Sequence, residues 1–132
     1  MTQIQPAAGL LLPADANQPV RNIQVRPDNT RDMAKLIGCQ WIELVRTPIE
    51  SVAMIVNEEG RLGDKRLNML ASTLYPGPIV GDVLLLGLEG PATASLTEYA
   101  LDALAQVFDI EPGRSALDIA KKRLGGADGG AA

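Results

Sequence analysis

The residues able to do chemistry fall into three groups, and none of them contains a histidine, because the chain has none. Arg61, Lys65 and Arg66 are the densest basic cluster in the interior of the sequence, with Asn68 close behind and Tyr75 a little further on. Guanidinium and ammonium groups beside the start of a helix are what a phosphate-bearing ligand needs. The same cluster also suits a solvated loop, with Asn68 and Tyr75 serving as cap and packing residues. Asn57, Glu58, Glu59 and Asp82 supply oxygen atoms of the kind that hold a hard cation, although their spacing matches no calcium loop. They serve equally as a solvated turn and a bend. Glu43 lies between Trp41 and Val45 on one face of an expected strand. That placement suits a general base, an interface anchor beside Trp41, or an edge charge paired with a neighbouring cation.

Whole chemistries drop out. Without histidine there is no Ser-His-Asp or Cys-His nucleophile and no imidazole acid or base. With a single cysteine, Cys39, there is no zinc set and no intramolecular disulfide. Neither a phosphate-cradling P-loop nor a G-x-G-x-x-G turn is present, so no cofactor is expected. The net charge of -4 argues against nucleic acid, whose binding rests on neutralising phosphate. The start, M-T-Q-I-Q-P, has neither a basic region nor a long apolar run, and the apolar run Val83–Leu86 is far too short to cross a bilayer. The expectation is a soluble cytoplasmic protein.

The elements that must position these residues can be read from periodicity and breakers. The length of 132 residues fits one domain, and 46% hydrophobic residues suffice for one core. Aromatics are 3%, so that core is built from Leu, Ile, Val, Ala and Met. Residues 1–8 read as a flexible lead-in and 9–124 as a single domain, with residues 125–132 (G-G-A-D-G-G-A-A) a disordered tail. Strands are expected at Gly9–Pro13, Val20–Val25, Gln40–Val45, Ser51–Val56 and Val83–Leu88, with further strand material at Ile79-Val80. Val52 to Val56 is apolar throughout, as a central strand covered on both faces requires.

Helices are expected over Arg31–Ile37, closed by Gly38, over Leu67–Leu74, and from Leu96 to about Val107. The third should start on a capping box, Ser95 with Glu98, and bury Leu96, Ala100, Ala103, Leu104 and Val107. A last helix over Ala116–Leu124 would be capped by Ser115. The sum is an α+β fold: one mixed, mainly antiparallel sheet of about five strands with two or three helices.

The pattern I-G-x-x-W-I-E-L-V, M-I-V-N-E-E-G, N-x-x-A-S-T-L-Y and I-V-G-D-V-L resembles a family of small proteins of unknown function found in bacteriophages and mobile elements, including actinobacterial phages. The matching positions are Ile37-Gly38, Ile42-Glu43, Asn57 to Gly60, Asn68, Ala71, Thr73 to Tyr75 and Ile79 to Asp82. The resemblance covers roughly residues 9–90 and leaves the region after Pro91 outside. It implies an accessory protein and brings no catalytic residue. The expected function is therefore non-enzymatic binding of a host protein, with Trp41 and Glu43 at the interface. The alternative is a binder of an anionic nucleotide-type signal through Arg61, Lys65, Arg66, Asn68 and Tyr75. A metal-dependent enzyme on Glu43, Glu58, Glu59 and Asp82 ranks third. More apolar surface than a small sheet buries, on Val83–Leu88 and on the 96–107 helix, also points to a homodimer through a helix face or a sheet edge.

Overall fold

Two neighbouring strands, β4 (Val52–Asn57) and β5 (Val83–Glu89), are apolar on both faces, and the fold is arranged so that both faces are covered. In a computed structural model, which describes residues 6–59, 66–75, 78–115 and 117–119, they form the middle of a six-stranded sheet. β1 (Ala7–Leu12) and β2 (Arg21–Val25) lie to one side and β3 (Ile42–Arg46) to the other, in the order β2-β1-β5-β4-β3. Every strand pairing is antiparallel. The short β6 (Ala92–Ala94) folds back on the end of β5, on the side where β1 pairs with its start. β1 starts at Ala7, two residues ahead of the expected strand.

Strand alternation sorts the core into two layers. Val83, Leu85, Val52, Met54, Leu10 and Leu12 face one side. There they meet α2 (Met69–Leu74) through Leu70, Ala71 and Leu74, and α3 (Glu98–Phe108) through Ala100 and Leu104. Leu84, Leu86, Ile55 and Leu11 face the other side, under α1 (Thr30–Ile37) with its buried Met33 and Ile37. Each fully buried Leu contributes about 2 kcal/mol. α1 is capped by the Asn29 side chain, which accepts from the Asp32 amide, and is closed by Gly38 in the left-handed region.

The α3 cap differs from the expectation. Thr97, not Ser95, accepts from the Ala100 amide. The Ser95 hydroxyl is taken by the Ala8 amide, and the Leu96 amide donates to the Ala8 carbonyl. These bonds fasten the chain before α3 to the first residues of β1, just where β1 parts from β5. The buried stripe of α3 is Ala100 and Leu104, preceded by the buried Leu96 ahead of the helix and continued by the half-buried Phe108. Val107 comes round close to the buried Ala100 by its seven-residue spacing, yet in the last turn of the helix it is 57% exposed, while Tyr99 is 71% exposed. The structure around Ser115 does follow the expectation: its hydroxyl accepts from the Asp118 amide and its carbonyl from the Ile119 amide. The last helix beyond residue 119, the tail at 125–132 and the lead-in at 1–5 lie outside the described residues.

Two glycines mark where backbones approach most closely. A Cβ on Gly9 would sit on the Leu85 carbonyl oxygen, and one on Gly87 would sit on the Ser95 carbonyl oxygen. Backbone cannot swing aside as a side chain can. Gly87→Ala is therefore expected to lower stability by about 1–3 kcal/mol, measured as a shift in urea midpoint at unchanged slope. A midpoint within error of the parent's would show that the β5–β6 turn has room the structure does not indicate.

Candidate functional site

Asn68 is the residue around which the polar structure is organised. It caps α2, with its Oδ1 accepting from the Ala71 amide at 3.0 Å. Its Nδ2 donates to two backbone carbonyls, Leu12 at 2.8 Å and Gly81 at 2.9 Å. Its own amide donates to the Ile79 carbonyl at 2.8 Å. The β1–β5 ladder ends at the Leu12–Val83 pair, so the Leu12 and Gly81 carbonyls lie just where strand partners run out. One carboxamide joins the end of β1, the approach to β5 and the start of α2. The side chain is fully buried and both its N–H groups are engaged, so it has no donor left for a ligand.

Hydroxyls and a carboxylate reinforce the same corner. The Ser72 Oγ accepts from the Ile79 amide, and the Thr73 hydroxyl donates to the Leu70 carbonyl. Asp82 Oδ1 accepts from the Ala14 amide at 2.8 Å. Among the described residues, no buried side-chain nitrogen or oxygen lacks a partner.

Of the other basic-cluster candidates, Arg66 and Tyr75 are described, and neither is a hydrogen-bond partner of the Asn68 side chain. Arg66 is two-thirds exposed and pairs with Asp15 at 3.3 Å. Tyr75 is the C-cap of α2 and packs its ring against the core layer beneath. Arg61 and Lys65 lie outside the described residues.

The carboxylate candidates are spread. Asn57 Oδ1 turns back to accept from the Glu59 amide, and the Glu58 amide donates to the Trp41 carbonyl. Glu43 is exposed on β3. Among the described residues, no three acidic or cysteine side chains are grouped closely enough to hold a metal ion.

A concave site does occur, on the opposite face of the sheet. A groove of about 450 Å³ runs between the end of β2 and α1. Pro6, Val25 and Leu36 supply its apolar lining, and Gln24, Arg26, Asp32 and Lys35 its polar lining. Arg26 shares its charge with Asp28 at 3.6 Å. The volume is that of a small-ligand site. Sequence reasoning missed it because its walls come from a strand end and a helix flank with no motif between them.

Large apolar side chains are exposed at several places, Leu67, Met69 and Leu117 among them, and two further groups lie along a strand edge and a helix. One is β3, the last strand of the sheet, where Trp41 is 56% and Leu44 40% exposed. The other is the outer flank of α3, with Tyr99 beside the exposed acids Glu98 and Asp102 and Val107 exposed in the last turn. Among the described residues, no helix is long and apolar enough to cross a membrane.

Asn68→Ala strands two buried carbonyls and the Ala71 amide. It is expected to cost about 3 kcal/mol or more in denaturant unfolding, since each buried group left unpaired costs about 1–3 kcal/mol. Asn68→Asp keeps the cap but sets a carboxylate against two carbonyl oxygens, so it should be no better than alanine at neutral pH. Aspartate matching the parent would contradict the donor role.

No curated protein and no solved structure matches the chain. A family model does, that of a domain of unknown function (DUF3846), over residues 9–109. The match runs through β6 and the whole of α3, beyond the limit near residue 90 expected from the sequence pattern. This chain, from its first strand to the end of its third helix, belongs to the DUF3846 family.

Proposed function

We propose that the chain acts by binding another protein and performs no chemistry of its own. The observation that carries this is the outer flank of α3. Tyr99 and Val107 stand exposed on a helix whose Ala100 and Leu104 are locked into the core. Tyrosine is enriched among the few side chains that dominate binding energies, and an exposed helix flank fixed by its buried side is a pre-organised contact surface. Glu98 and Asp102 beside it favour a basic partner. The resemblance of residues 9–90 to proteins of phages and mobile elements supports a host protein, met in the host cytoplasm, as that partner. The fold alone says nothing of the partner's identity.

The test is capture from bacterial lysate on the immobilised chain. Tyr99→Ala with Val107→Asp should reduce the retained protein more than tenfold, as loss of an anchor worth about 2 kcal/mol implies. It should leave the thermal midpoint nearly unchanged, because both side chains are exposed. Retention equal to the parent's would move the contact elsewhere.

The groove between β2 and α1 favours a second reading, a binder that sequesters an anionic nucleotide-type ligand with Arg26 and Lys35. Under that reading nucleotide raises the thermal midpoint by mass action, and Arg26→Glu with Lys35→Glu removes the rise. A rise that survives the charge reversal would exclude the groove as the ligand site.

A further inference from the structure

The two edges of the sheet are finished differently. At the β2 edge, Val20 exchanges both its backbone groups with the segment after α3: its amide donates to the Arg114 carbonyl and its carbonyl accepts from the Gly113 amide. That segment is held by Arg114, which pairs with Asp109 at 3.1 Å. The rest of that edge carries polar Asn22 and Gln24. Cover and polar side chains are the usual protection of an edge.

The β3 edge carries two exposed charges, Glu43 and Arg46, but no segment among the described residues covers it. The bonds from the Glu58 amide to the Trp41 carbonyl and from the Thr47 amide to the Val52 carbonyl fix which residues of β3 face β4. Since hydrogen-bonded pairs alternate along an antiparallel ladder, Trp41, Glu43, Val45 and Thr47 turn their backbone groups inward. Ile42, Leu44 and Arg46 turn theirs outward, and no strand among the described residues pairs with them.

We infer that this edge pairs with the same edge of a second copy of the chain, about a two-fold axis through Leu44. A two-fold axis normal to the sheet makes the pairing antiparallel and keeps each face continuous with itself. Leu44 is the midpoint of β3, so Leu44 then meets Leu44, and Ile42 meets Arg46 of the second copy. Every outward residue faces another outward residue, and all of them gain both backbone bonds. The neighbouring registers are poorer. Centring on Glu43 sets two carboxylates directly opposite each other, which is unfavourable. Centring on Val45 sets Ile42 against Pro48, which has no amide to give.

The Leu44 register also covers exposed apolar surface. The two Leu44 side chains close over each other on the α1 face, and Ile42 lies against the aliphatic stem of Arg46. On the other face Trp41 lies beside Thr47 and Glu43 beside Val45 of the second copy. The two Glu43 carboxylates stand diagonally across the axis, so the dimer tightens with added salt instead of weakening. Both α3 flanks end on the same face of the joined sheet, which would give the dimer two copies of the protein-binding surface. The dimer itself does not depend on that reading.

Sedimentation of the full chain over a concentration series up to about 100 μM tests this, since that range resolves micromolar association. The expected result is a mass twice the 14.0 kDa of the chain. Leu44→Pro removes an outward amide and leaves the β4 ladder whole, so it should give a folded monomer. A second pair of variants guards against misfolding. In a Cys39→Ser background, Leu44→Cys should form an intermolecular disulfide under mild oxidation, because hydrogen-bonded partners stand about 5.5 Å apart at Cα. Val45→Cys should form at least tenfold less in the same time. A parent that stays monomeric throughout, a folded Leu44→Pro dimer, or equal cross-linking at 44 and 45 would each overturn the inference.

Discussion

The carboxamide of Asn68 is the interaction on which the rest of the structure depends. An antiparallel sheet with helices packed on it must end its strands somewhere, and the last carbonyls then face a dry interior. Here two of those carbonyls, at Leu12 and Gly81, converge on one primary amide whose oxygen simultaneously starts α2. The geometry needs two donors and an acceptor on one short side chain. Asparagine provides them; aspartate, leucine and serine each lack at least one. The short helix α2 exists because of this. Six residues are too few to hold a helix by propensity, so its stability comes from the cap and from burial of Leu70, Ala71 and Leu74.

That corner governs what the surfaces can do. With β1, β5 and α2 tied together, the apolar layers on both sides of the sheet close around Leu and Val side chains, and the polar atoms nearby are consumed internally. Among the described residues, the surfaces that stand out for function are at the margins: the outer flank of α3, the groove beside α1 and the open edge of β3. Each is built from residues whose neighbours are rigid. Tyr99 and Val107 ride on a helix anchored by Ala100 and Leu104, and Leu44 rides on a strand hydrogen-bonded along its whole inner side. Rigid support favours recognition, because little ordering entropy remains to be lost on contact.

Local features were legible in the sequence wherever their cause was local. The continuous apolar run of β4 announced a central strand, and Gly38 announced the end of α1. The antiparallel α+β architecture followed from strand runs separated by turns. Features caused by distant partners were not legible. Ser95 and Glu98 satisfy a capping-box pattern, yet an amide 87 positions away claims the serine. β6, Ala-Thr-Ala, has too little side chain to show a pattern and is a strand because β5 offers it an edge. Ala103 and Val107 fit the apolar helix pattern by type, and only the packing decides that the stripe runs through Leu104 to Phe108. Asn68 stood out in the sequence both as a ligand residue and as a cap. The carbonyls that decide between those roles lie 13 and 56 positions away, beyond any local signal.

The most direct measurement of the central claim is native-state hydrogen exchange at two amides, Asn68 and Ala71. Ala71 lies in the first turn of a six-residue helix, where amides ordinarily exchange by fraying. If Asn68 clamps the corner, both amides exchange only through global unfolding, with the same protection as the central amides of β5. Exchange of Ala71 at near the free-peptide rate, while Leu84 and Leu85 stay protected, would show that α2 opens on its own and that the clamp does not hold the fold together.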